Sequence, residues 1–212
     1  MRESQPPSRR ELLGVVLAGG ESRRFGGEKA LFPLKGRAMA EWAVEALKPW
    51  TSQQVVITND VKVAEALGVP GRSDTIPGLG PLGGLHTALT WAREEGLEGV
   101  FLLACDLPLM TPDLVGRILS KWPAGFQVVL PGSYGPLGFE PLCAGYEVRG
   151  LAGLEEPMST GRRSMENALN TMSVHRIPPS DLGSREELGL AFLNVNTLET
   201  ARRAEEALEE RP

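Results

Sequence analysis

A chain of 212 residues with 42% hydrophobic and 23% charged side chains can bury a sizeable core, which excludes a largely disordered protein. Its net charge of -5 argues against general nucleic-acid binding, so any attraction for phosphate must be local. The two cysteines, Cys105 and Cys143, have neither metal or redox spacing nor the density of a disulfide scaffold, and no apolar stretch is long enough to span a membrane.

In chain order, MRESQPPSRR over residues 1–10 lacks the apolar segment of a signal peptide and reads as a flexible tail. A single domain is expected over residues 11–212, in a reducing cytoplasm. Leu12 to Ala18 reads as a buried strand, and LAGGESRRFGGEKA, Leu17 to Ala30, follows it. Gly19 and Gly20 permit a sharp turn with exposed N–H groups, and Arg23, Arg24 and Lys29 add positive charge. That combination suits a polyphosphate, although it is neither a Walker A loop nor the GxGxxG fingerprint. On the residues alone, a plain strand-to-helix turn with solvated charges is an equal alternative.

Residues 38–50 carry Met39, Trp42, Ala43, Ala46 and Leu47 on one helical face, ended by Pro49. A strand follows over Gln54 to Thr58, then a short helix around Ala64 to Leu67. Ser73 to Gly84, dense in glycine and proline, reads as an exposed loop opening into a helix over Leu85 to Glu94. The next strand begins at Val100 and ends at Asp106, an acid at the carboxyl end of an apolar run. Ligands in open α/β sheets bind beyond that end, and one or two carboxylates with phosphate oxygens suit Mg²⁺. A capping role for Asp106 is the alternative, but Thr111-Pro112-Asp113 already makes the better helix start. Cys105 beside it is expected to pack as a small buried side chain.

Beyond that helix, a strand over Gln127 to Leu130 precedes Phe139 to Tyr146, whose Pro141 implies an edge position. Gly161 to Met172 reads as a helix, Val174 to Ile177 and Phe192 to Val195 as short strands, and a solvated helix begins near Thr197. The alternation implies a mostly parallel sheet in a three-layer α/β/α sandwich. Two histidines, His86 and His175, are read as structural, and no Ser/His/Asp arrangement is present.

With these segments in place, the chain resembles the molybdenum cofactor guanylyltransferase family within the Rossmann-like nucleotidyltransferases, from about Gly14 to Arg203. LAGGESRRFGGEKA resembles its LAGG signature, with Arg24, Gly26 and Lys29 at the matching positions. DTIPGLGPLGG resembles its D…GPLAG loop, with Gly83 where alanine is usual; LLACDLP and LNVNT complete the series. The resemblance implies nucleotide contacts from Leu17, Ala18, Gly19, Gly20, Asp74, Gly80, Pro81 and Leu82, and from Thr58 or Asn59, between which the alignment does not choose. Lys29 would meet the GTP phosphates, Arg24 would help neutralise charge, Asp106 would bind nucleotide and Mg²⁺, and Asn194 and Asn196 would face the pterin. On residues alone, Asp74 is equally an exposed loop acid, and the two asparagines alternatively satisfy the turn before the Thr197 helix. Two departures are Glu28, where the family often has aspartate, and Glu140, where a histidine precedes the proline.

The implied reaction is attack by the terminal phosphate of molybdopterin on the α-phosphorus of GTP, with neither nucleic acid nor membrane as partner; other pterin-pathway proteins are implied partners. The competing readings are a related enzyme using CTP or a sugar-1-phosphate, and a non-catalytic nucleotide-binding module.

Overall fold

Alternating apolar residues produce a central strand whose two faces serve two cores. In the computed structural model, which describes residues 11–19, 28–161 and 164–210, β1 spans Leu12–Leu17. Leu12 and Val16 enter one core and Leu13 and Val15 the other, as the two-residue period of a strand requires. The remaining strands are β2 (Pro33–Leu34), β3 (Arg37–Ala38), β4 (Gln53–Ile57), β5 (Gly71–Arg72), β6 (Gly99–Ala104), β7 (Val128–Pro131), β8 (Cys143–Glu147) and β9 (Val174–Ile177). The helices are α1 (Met39–Leu47), α2 (Val61–Leu67), α3 (Pro81–Glu94), α4 (Pro112–Ser120), α5 (Ala152–Ser159), α6 (Met165–Leu169), α7 (Arg185–Ala191) and α8 (Leu198–Glu209). Residues 1–10 and 20–27, which include the expected tail and the site residues Gly20 and Arg24, lie outside the described residues.

Seven strands form one sheet in the order β5-β4-β1-β6-β8-β7-β9, and β2 and β3 form a separate hairpin. Only β8 runs against the rest of the large sheet, so the expected mostly parallel three-layer sandwich is what the chain adopts. Helices α1, α2, α4 and α7 pack on one face, and α3, α5 and α6 on the other. A third, smaller core joins the β2–β3 hairpin to α8. From β1 the chain winds outward to β4 and β5, then returns through α3 to β6 on the opposite side of β1. That reversal opens a crevice beyond the carboxyl ends of β1 and β6. Among the described residues no helix is long and apolar enough to cross a membrane.

Several sequence expectations are corrected. The strand expected at an edge is interior: β8 lies between β6 and β7. Pro141 precedes the ladder, so its missing N–H costs no sheet hydrogen bond, and its carbonyl accepts the buried Tyr146 hydroxyl at 2.7 Å. The supposed loop through Gly84 ends earlier, because α3 begins at Pro81 with Gly80 (φ 55) ahead of it. Gly83 and Gly84 were poor helix signals, yet Gly84 is where the helix meets β1: a Cβ there would lie 2.8 Å from Leu17 Cδ2. Among the described residues of 161–172 the helix is the short α6, capped by Ser164, while α5 was hidden in the sequence by its glycine and Pro157. Phe192 to Val195 joins no sheet; Leu193 closes back on Leu190, and Val195 docks on residue 106.

Candidate active site

A cleft of about 870 Å³ occupies the crevice at the carboxyl ends of β1, β4 and β6. Its floor continues the sheet hydrogen bonding past the strands. Ala18 N–H donates to the Ile57 carbonyl at 2.9 Å and Cys105 N–H to the Leu17 carbonyl at 3.0 Å. These bonds fix the backbone of residues 17–19 and 104–106 before any side chain contributes. Among the described residues no atom lies within 4 Å of a Cβ built on Gly19.

Asp106 leaves β6 in a turn held by Leu107 N–H on the Ala104 carbonyl, with Leu107 and Leu109 buried beside it. Facing it is Lys29, at the start of a 3₁₀ turn over Lys29–Leu31 whose Ala30 is fully buried. The Lys29 Nζ donates to Asp106 Oδ2 at 2.8 Å and also to Asn196 Oδ1. The two charged side chains are only 12% and 21% exposed, so water screens their attraction weakly. Asn196 arrives from the far end of the chain because the Val195 N–H donates to the Asp106 carbonyl at 2.9 Å.

On the opposite side, Asn59 and Asp74 line the cleft together, with Asp74 N–H donating to Asn59 Oδ1 at 3.3 Å. Burial pushes the Asp74 carboxyl above its ordinary value of 3.8. Glu28 lines the same cleft, and burial, together with repulsion from Asp60, raises its carboxyl although the Ala30 backbone opposes the shift. Both acids are therefore held in surroundings that disfavour their charge, next to space for a ligand.

Leu17, Ala18, Gly19, Lys29, Asn59, Asp74, Gly80, Pro81, Asp106 and Asn196 share this cleft. Three expected residues do not line it. Thr58 is buried and its hydroxyl accepts the Asp60 N–H at 3.1 Å, which supports the turn into α2. Leu82, the second residue of α3, turns into the core and is fully buried. Asn194 turns its amide toward the Phe192 carbonyl at 3.4 Å; without a strand at 192–195, the two asparagines do not share a direction. Gly20 and Arg24 lie outside the described residues.

Sequence reading did not single out Gly84, Leu142 or Glu28 as cleft residues, although all three line it. The available signal was the second glycine of the α3 start, which admits close packing near Asp74. Glu140 lies near enough to feel Asp106: burial raises its carboxyl, a Ser133 hydrogen bond opposes this, and Asp106 adds repulsion.

Cys105 borders the cleft, but burial pushes its thiol up to about 12, so it stays neutral and packs as expected. His86 sits on α3, 3.3 Å from the Thr75 hydroxyl, and burial lowers its basicity; His175 packs edge-on against Phe126. Neither lines the cleft. Among the described residues no group of three or more His, Cys, Asp and Glu side chains forms a metal cage. The donor present is instead a partly buried carboxylate open to a phosphate-sized space, which fits a hard divalent cation that keeps phosphate and water ligands.

Residues 14–173 match the model of the MobA-like NTP transferase domain. The chain is 32% identical to a molybdenum cofactor guanylyltransferase of Desulfosudis oleivorans, over 93% of this chain and 96% of that protein. It is 30% identical to a probable molybdenum cofactor guanylyltransferase of Thermococcus gammatolerans, over 89% and 96%. The solved structure of molybdopterin-guanine dinucleotide biosynthesis protein A from Archaeoglobus fulgidus superimposes with a TM-score of 0.76 at 27% identity, covering 94% of this chain and all of that one.

Proposed function

The chain belongs to the MobA-like NTP transferase family, and on that premise we propose that it transfers GMP from GTP to the terminal phosphate of molybdopterin, releasing pyrophosphate. The observation that carries this reading is the meeting of Lys29, Asp106 and Asn196 in one cleft beyond the parallel strands.

The acceptor phosphate oxygen forms a bond to the α-phosphorus, and the bond from that phosphorus to the bridging oxygen breaks, so pyrophosphate departs with the electron pair. A phosphate nucleophile is already anionic near neutral pH, which agrees with a cleft that presents no histidine and no ionised thiol. Rate enhancement then rests on alignment and charge neutralisation. The Lys29 ammonium would meet the triphosphate and offset charge on the leaving group. Asp106 would hold Mg²⁺, which when bound supplies further charge screening on phosphate oxygens. The Ala18 and Gly19 backbone would lie against the nucleotide, with Asn59 and Asp74 toward the nucleoside; Gly20 and Arg24 are assigned by sequence resemblance alone. Asn196 would face the pterin, and a cytoplasmic site fits a pathway of this kind.

The test is pyrophosphate release from GTP with molybdopterin, alongside CTP, UTP and ATP. GTP-dependent release with formation of the guanine dinucleotide supports the assignment. Nucleotide binding without release, or a preference for CTP, overturns it.

A further inference from the structure

The polar groups of the cleft have apolar anchors in one small core outside it. Leu34, a few residues after Lys29, Leu109, just after Asp106, and Val195, just before Asn196, are all fully buried there. Ala201 and Ala204 of α8 complete it. The core is closed on its outer side by contact between the β2–β3 turn and α8.

That turn consists of Lys35 (φ 51) and Gly36 (φ 75), flanked by the Leu34–Arg37 pair. Two positive φ values match the twist of a tight hairpin, and a lysine at the first costs about 1 kcal/mol relative to glycine. The strained residue points its backbone N–H at α8, donating to Glu205 Oε1 at 3.2 Å, while its ammonium pairs with Glu209 one turn further along.

Helix α8 starts immediately beyond Asn196. Thr197 caps it by accepting the Thr200 N–H at 3.1 Å, and the Asn196 N–H donates to Thr200 Oγ1 at 3.0 Å. The asparagine is thus tied to the first turn of the helix, and a displacement of α8 carries the amide with it. The matched family model ends at residue 173, so this wall of the cleft is built by sequence beyond it.

We infer that Glu205 is a positioning residue for the transfer: by accepting the Lys35 N–H, it fixes α8 to the hairpin and thereby holds Asn196 against the Lys29 ammonium. This rests on the reading of Asn196 as an acceptor-side contact. Glu205 rather than Glu209 carries the effect because its partner is a backbone donor already fixed by the hairpin. The Lys35–Glu209 pair is between exposed side chains, 34% and 64% accessible, where screening and side-chain entropy leave little net attraction.

The test compares Glu205→Ala, Glu205→Gln and Glu209→Ala in the full chain. Two readouts are needed: hydrogen exchange at the Val195 and Asn196 amides, and steady-state kinetics with GTP and molybdopterin. Glu205→Ala is expected to speed exchange at both amides about fivefold or more, with the β1 and β6 amides unchanged. It should raise the KM for molybdopterin or lower kcat by about three- to tenfold, leaving the KM for GTP at its wild-type value. Glu205→Gln keeps an acceptor oxygen and is expected to restore most of both, while Glu209→Ala stays within about twofold of wild type. The inference is overturned if Glu205→Ala leaves exchange and kinetics unchanged, if the glutamine variant is as impaired as the alanine one, or if the KM for GTP moves in parallel. Should the wild-type protein release no pyrophosphate, the functional reading fails on its own, and the exchange comparison still decides whether Glu205 holds Asn196.

Discussion

The two walls of the cleft are built differently. The wall formed by the ends of β1 and β6 is an extension of a parallel sheet, with Ala18 and Cys105 continuing its hydrogen bonds beyond fully buried residues. The wall carrying Asn196 belongs to no sheet; one main-chain bond from Val195 and the packing of α8 hold it in place. A ligand group bound by the first wall meets rigid backbone, whereas one bound by the second meets a docked segment whose position depends on distant contacts. The proposed chemistry matches this division, since phosphate transfer demands the tightest alignment where the nucleotide sits.

The largest expected contrast comes from Asp106→Ala, which removes the carboxylate that the first wall presents to Lys29. Turnover should fall by about a thousandfold or more in a pyrophosphate-release assay. Wild-type rates in Mg²⁺ would sink the metal role. Lys29→Ala is expected to lower turnover by about a hundredfold or more and to diminish the thermal stabilisation conferred by GTP. An undiminished GTP-induced shift in melting point would mean the ammonium serves only Asp106 and Asn196.

Gly84→Ala sharpens the picture of the first wall as rigid. Its Cβ would lie 2.8 Å from Leu17 Cδ2, so denaturant unfolding should show about 1–3 kcal/mol of lost stability. A neutral result would show that Leu17 yields easily and that this wall is softer than its hydrogen bonding implies.

Asn196→Ala probes the second wall, and transfer should drop by about tenfold through the acceptor with GTP affinity retained. Equal losses for both substrates would erase the division. The smallest effect is one of pH. Because burial raises the folded Asp74 carboxyl above its ordinary value of 3.8, the folded state binds more protons than the unfolded state in the window just above that value. Its contribution to stability is therefore present at lower pH and lost as pH rises through the window. Asp74→Asn should flatten that part of the stability-pH curve measured by chemical denaturation; an unchanged slope would place the effect elsewhere.

Much of the first wall was legible in the sequence. An apolar run ending in Asp106, a glycine pair after Leu17 and a better cap at Thr111 are local facts, and strand ends in a parallel sheet converge on one side. The second wall was legible in its residues but not in their directions. Asn194 and Asn196 have the spacing of a shared strand face, yet the segment is a coil, and docking of Val195 on Asp106 brings only Asn196 to the cleft. The same holds at the end of β4, where Thr58 turns inward to cap Asp60 and Asn59 reaches Asp74.

By itself, then, the sequence determined the layered α/β architecture and the strand-end positions of Ala18 and Asp106, because hydrophobic period and turn chemistry act over a few residues, while its motifs in order carried the likeness to a nucleotidyltransferase family. Only the tertiary structure decided which asparagines enter the cleft, that β8 lies inside the sheet, and that α8 reaches back to the hairpin beside Lys29. Those outcomes depend on partners more than a hundred residues away in the chain, or on which neighbour a strand pairs with, and no local preference encodes either.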